Sequence, residues 1–121
     1  MDKVFFERFA RSHLRGGFQI IRLDLADASL VDALGRDAIA RTHIVAKQFS
    51  VTIRPGLSEN ETSVTIYHEI LEAATVASLD PPITVRDLNE AGFERAGYRA
   101  HKEFGLVSPE NLDRMLQSYG F

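Results

Sequence analysis

Short stretches with apolar residues at every second position occupy the first half of this chain. Longer stretches with helical spacing occupy the second. Phe49 to Arg54 alternates cleanly, with Phe49, Val51 and Ile53 on one side, and Pro55-Gly56 turns it, which predicts a strand. Phe18 to Leu25 predicts another, with Ile21, Leu23 and Leu25 alternating against Arg22 and Asp24. Before it, Phe5, Phe6, Phe9 and Leu14 stand at roughly helical spacing, so Val4 to Leu14 reads as a packing helix that Gly16-Gly17 stops. Asp27 to Asp37 reads as a short helix or a structured loop, and Ile39 to Ala46 as either a strand or a helix end.

The second half opens on a capping box, Ser58-x-x-Glu61, and the helix it starts must end by Pro81-Pro82. Between those marks nearly every residue outside one stripe is apolar, from Val64 through Ile70 and Leu71 to Leu79, so this helix belongs inside the domain. Thr84-x-x-Asp87 reads as a second capping box, leading a helix over Val85 to Phe104 that Gly105 closes. Ser108-Pro109-Glu110 opens a last short helix to about Ser118, with Leu112, Met115 and Leu116 inward. The Tyr119-Gly120-Phe121 end is expected to tuck an aromatic ring against the core. Strands first and helices second make an α+β arrangement: an N-terminal helix and a short antiparallel or mixed sheet, packed on a central helix with two more behind it.

Composition narrows the picture. A length of 121 residues suits a single domain over 1–121 with one proper core. The apolar and charged shares, 45% and 26%, are those of a soluble globular protein. No apolar run approaches the roughly 18 residues of a membrane span, and Met1-Asp2-Lys3 does not begin a secretory signal, so a cytoplasmic location is expected. A net charge of −3 and a pI near 5.8 argue against non-specific binding to nucleic acid or to an anionic membrane. With no cysteine, any metal must sit on histidine and carboxylates. Phosphate loops, nucleophile elbows and zinc-finger spacings are absent.

Charge matters most on the central helix. At about 100° per residue, Thr65, His68, Glu69, Glu72 and Thr75 fall within an arc of roughly 120°. No basic residue occurs between Arg54 and Arg86 to balance them. Two carboxylates and an imidazole on a mostly buried helix need a cationic partner, either a metal ion or basic groups from elsewhere. On the following helix Glu90, Glu94, Gly97 and His101 form a second stripe. Gly97 would let another element approach closely there, and with Ala96 and Ala100 it is a small residue suited to helix packing. His13 and His43 lack acidic partners at useful spacing.

The run Thr65-x-x-His68-Glu69-x-x-Glu72-Ala73 resembles the active-site helix of the zincin metallopeptidases. Their H-E-x-x-H motif sets two ligands at i and i+4 and uses the intervening Glu as a general base. In that superfamily an edge strand just before the helix lines the substrate cleft, a role the resemblance gives to Phe49 to Arg54. The thermolysin-like, gluzincin branch takes a third ligand from a Glu that follows an Asn on the next helix, roughly twenty residues on. Asn89-Glu90 stands at about that separation from His68. The resemblance thus implies a small zincin-like domain with metal on His68, Glu72 and a third group among Glu90, Glu94 and His101. Glu69 would take a proton from a water that the metal activates, and the substrate would be a peptide or protein. Zinc is the metal implied, although a set of His68, Glu72 and His101 also suits iron or manganese. The departure is Glu72, which stands where the motif has its second histidine; its charge weakens the Lewis acidity of a bound ion.

A second reading needs no metal. Glu69 and Glu72 would pair with arginines such as Arg86, Arg95 or Arg99, His68 would be a core histidine, and His101 would lie at the surface. The chain would then be a catalytically inactive zincin-like module acting in protein interaction or regulation. A chain this small has little room for a deep cleft, so a homodimer or a larger partner belongs to either reading.

Overall fold

Phe49, Val51 and Ile53 are fully buried, and the sheet is built around the strand that carries them. The computed structural model describes residues 3–32 and 34–121. In chain order the elements are α1 (Lys3–Glu7), β1 (Ser12–His13), a 3-10 turn at Arg15–Gly17, β2 (Gln19–Leu25), β3 (Leu30–Val31), β4 (Asp37–Ala38), β5 (Ala40–Val45) and β6 (Gln48–Ile53). Then come α2 (Glu59–Ala77), α3 (Ile83–Arg86), α4 (Glu90–Phe104) and α5 (Pro109–Tyr119). This is an α+β domain with its helices massed on the C-terminal half.

The sheet runs β1-β2-β6-β5, with β2 parallel to β6 and the outer pairs antiparallel; β3 and β4 form a small separate hairpin. Strand β6 is therefore interior. The strand expected at the edge is instead covered on both sides, and the rim nearest α2 belongs to β5, the segment whose type the sequence left open. In β2 the register slips between Ile20 and Arg22, so Ile21 is an extra residue in the ladder. That bulge corrects the expected alternation. Ile20 and Leu23 are buried, whereas Ile21 is 38% exposed.

The N-terminal helix is shorter than its apolar spacing suggests. Arg11 adopts a positive φ of 62°, the chain reverses, and Ser12–His13 pair with Ile20 and Gln19 rather than continuing the helix. Phe6, Phe9 and Leu14 still reach the core, by way of turns instead of one helix face. The 27–37 segment is a loop with β3 and the start of β4, and of its residues Ala33 lies outside those described.

Helix α2 begins as expected, with both halves of the capping box formed between Ser58 and Glu61. Thr84 caps nothing. Its hydroxyl donates to the Tyr119 carbonyl, α3 stops at Arg86, and the chain restarts at Asn89, whose side chain accepts the Gly92 N–H. The expected 85–104 helix is thus broken, and Asn89 rather than Thr84 sets the angle of α4. Helix α5 follows its N-cap Ser108 with Leu112, Met115 and Leu116 fully buried, and the Phe121 ring packs edge-on to Phe18 at 5.8 Å. Among the described residues no helix is long and apolar enough to cross a membrane.

The closest helix pair is α2 with α4, and Gly97 is why. A Cβ at residue 97 would lie 2.7 Å from the Val64 carbonyl oxygen and 3.1 Å from the His68 Cβ. Elsewhere in a helix, Gly→Ala gains about 1 kcal/mol of helix propensity. Here the obstacle is backbone, which moves only if the helices part. Gly97→Ala is therefore expected to destabilise the fold by about 1–3 kcal/mol in denaturant titration, the range of an overpacked core. A stabilised variant would show that the two helices are not in the contact described.

Candidate metal and proton-transfer site

The tight crossing brings the two polar stripes together beside Gly97. His68 Nε2 lies 3.1 Å from Glu72 Oε2, one turn along α2, and 2.9 Å from Glu90 Oε1, which arrives from the first turn of α4. One ligand atom from each of the three lies within 4.8 Å of the others. The Phe93 ring, three residues beyond Glu90, lies parallel to the imidazole with centroids 6.5 Å apart. Here i, i+4 spacing on one helix supplies two of the groups, and the Asn89 cap positions the third.

Glu69 turns toward the sheet. Its Oε2 accepts a 2.8 Å hydrogen bond from the Thr42 hydroxyl. Thr42 pairs opposite Val51 and so points to the inner face of β5. The bond therefore holds the carboxylate against the sheet wall, next to His68. His68, Glu69 and Glu90 line a cavity of about 510 Å³, with Glu94 further along its α4 wall.

Charge in this small volume is unbalanced, and the side chains respond. His68 is pulled down by burial, but the Glu72 bond and the charges of Glu69 and Glu90 outweigh that and raise it above the ordinary imidazole value. Glu72 is lowered by the same bond. Glu69 is raised, chiefly by burial, with the Thr42 bond offsetting part of it. Glu90 is raised by burial and by the neighbouring Glu72 carboxylate. Without a cation, the cluster thus favours a protonated imidazole between two acids and a Glu69 that takes up a proton more readily than a surface carboxylate.

Of the groups read as possible third ligands, Glu90 alone joins the cluster. Glu94 stands a turn away, and His101 Nδ1 is 2.8 Å from the Ser63 hydroxyl, which also accepts the Val107 N–H at 2.9 Å. His101 therefore ties α4 to α2 through Ser63, which also holds the entry of α5, and takes no part in the three-atom group. The arginine partners suggested by the metal-free reading do not engage the stripe. Arg86 pairs with Asp80, and among the described residues neither Arg95 nor Arg99 makes an ion pair. His13 and His43 are exposed.

No family model, curated protein or solved structure matches the chain. What the site can do must come from its own geometry.

Thr42, Phe93 and Ser63 escaped the sequence reading. Thr42 lay in a segment whose strand character was unresolved, Phe93 looked like ordinary core, and Ser63 showed nothing but its small size. The pairing of His68 with Glu72 carries a definite pH dependence. A raised imidazole pKa contributes stability that is complete below the ordinary value of about 6.5 and is lost as pH rises through the raised value. The Glu72 side of the bond is lost as pH falls through its lowered value. In the metal-free protein, an NMR titration of the His68 ring should therefore show a midpoint above 6.5, and Glu72→Gln should lower it. Because burial alone would lower the imidazole, a midpoint that Glu72→Gln leaves unchanged would mean that the pair is not formed in solution.

Proposed function

We propose that the chain is a metal-dependent hydrolase of the peptidase type, with His68, Glu72 and Glu90 holding the ion and Glu69 acting as the proton-transfer group. The observation that carries this is the convergence of one imidazole nitrogen and two carboxylate oxygens from two helices, with a third acid, the partly buried Glu69, beside them on a cavity wall. The donor set fits a divalent ion. Ligands about 2.0–2.2 Å from zinc stand about 3.3–3.5 Å apart in a tetrahedral site. The His68 contacts of 2.9 and 3.1 Å need to open by only a few tenths of an ångström. An ion would also neutralise the repulsion between Glu72 and Glu90. One nitrogen and two oxygens accommodate zinc, and suit iron or manganese as well.

A bound cation would supply Lewis acidity to the scissile carbonyl and to the attacking water. The remaining work falls to this chain's own groups. Glu69, held by Thr42 and made more basic by burial, receives the proton of the water and delivers it to the leaving amine. The Phe93 ring and the Gly97 crossing keep the His68 nitrogen aimed at Glu72 and Glu90.

One observation favours a second reading, a catalytically inactive module for interaction or regulation. His68 is already bonded to two acids, so the cluster can close on itself without an ion. The two readings separate experimentally. Protein made in metal-replete medium is expected to retain roughly one transition metal per chain by elemental analysis. Glu69→Gln should keep the metal and lose about 10²–10⁴-fold in hydrolysis. Glu72→His should raise zinc affinity if an ion pocket exists, and only lower stability if the cluster is a closed polar knot. Metal-free protein after repeated metal-replete preparations would count decisively for the second reading.

A further inference from the structure

The cavity beside His68 extends well past the three-atom cluster. It is a groove that follows α2 back from His68 toward Glu61, walled on one side by α4 and on the other by β4 and the start of β5. Its floor is apolar, with Leu57, Val64 and Ile39 contributing surface. Its charged lining is mostly acidic. Asp32, Asp37, Glu61, Glu69, Glu90 and Glu94 line it against Arg36 and the His68 imidazole, the latter already held by Glu72 and Glu90.

Not all of that charge is free. Arg36 Nε is 2.9 Å from Asp32 Oδ2, so those two neutralise each other. Glu61 is engaged with the Ser58 N–H in the capping box, and Glu69 and Glu90 belong to the site itself. Asp37 and Glu94 remain. Neither side chain has a hydrogen bond or ion pair among the described residues, and they come from opposite walls of the groove. Tyr98, one turn beyond Glu94 on α4, also lines the groove and is 59% exposed.

We infer that this groove receives a lysine or arginine side chain of the substrate next to the bond to be cleaved, with Asp37 and Glu94 facing its charge. The inference rests on the hydrolase reading and gives that reading a substrate class. A long basic side chain has the required two-part chemistry. Its methylene stem can cover Val64, Leu57 and Ile39 while its head stays at the acidic walls. The exposed Tyr98 ring adds a face that attracts cations. An acidic side chain would meet unpaired like charge on both walls, and a short neutral one would leave the apolar floor wet. The chain as a whole carries 14 basic and 17 acidic residues, so this one-sided lining is a property of the groove and not of the overall composition.

The test uses the zinc-loaded full chain and three fluorogenic peptide pools identical except for arginine, citrulline or glutamate at the varied positions. Citrulline keeps the shape of arginine and removes its charge. The arginine pool should be cleaved with kcat/KM about tenfold or more above the citrulline pool, with the glutamate pool slowest, and the preference should fall to within about twofold in Asp37→Asn/Glu94→Gln. Equal cleavage of the arginine and citrulline pools, or a preference that survives the double variant, overturns the inference and leaves the hydrolase reading standing. If no pool is cleaved, anisotropy of the labelled arginine and citrulline peptides on the same protein decides the matter. Charge-selective binding that is lost in the double variant upholds the groove and sinks hydrolysis, whereas equal binding or none overturns the groove as well.

Discussion

Helices α2 and α4 meet where residue 97 has no side chain, and that contact fixes the positions of the other site groups. The Val64 carbonyl and the His68 backbone occupy the space a Cβ would fill. At this separation the first turn of α4 places a carboxylate 2.9 Å from the imidazole, and the Phe93 ring runs parallel to it with centroids 6.5 Å apart. Glu90 remains 72% exposed even here, and a wider crossing would carry its carboxylate out of reach of the imidazole, because a glutamate side chain spans only a few ångströms. The rest of the fold holds the two helices at that distance. Ser63 and His101 link them one turn further along, and the Val107 N–H draws the entry of α5 into the same joint.

The site is also where local rules are broken. Four titratable groups share a small volume, three of them acids, and the helix that carries most of them has no lysine or arginine. Folding alone rarely rewards such an arrangement, since each acid raises the cost of ionising the next. The protein limits that cost in two ways. It sets the imidazole between Glu72 and Glu90, and it ties Glu69 to a neutral hydroxyl instead of a cation. Glu69 is thereby held in place, and the rise that burial gives it is only partly offset by the Thr42 bond.

Much of this could be read in advance, and the failures have physical causes. The capping box of α2, the strand at Phe49 to Ile53 and the inward face of α5 depend on local chemistry, and they stand as the sequence implies. The helix expected from Val4 to Leu14 fails because apolar spacing cannot reveal a backbone reversal at Arg11. The Ile21 bulge shifts β2 by one residue, a decision made by its partner β6 and not by β2 itself. The Thr84 box fails because a tertiary acceptor, the Tyr119 carbonyl, competes for the hydroxyl. In the site, the stripe on α2 was visible because helical geometry converts spacing into direction. Which residue of α4 would answer it was not, since Glu90, Glu94 and His101 share one stripe and only the crossing point selects among them. Thr42 depends on sheet register, which sequence spacing does not encode.

Strand β5 has a further property. It steadies Glu69 through Thr42 on its inner face, yet among the described residues one of its long sides has no neighbouring strand. An open rim of that kind invites pairing with a foreign chain, the first step toward aggregation. Arg41 and His43 on this strand are exposed to solvent. These residues act as gatekeepers. Hydrophobic replacements at 41 and 43 would leave the interior untouched while turning the segment into a sticky template, so colloidal behaviour and the placing of Glu69 fall to alternate residues of one strand.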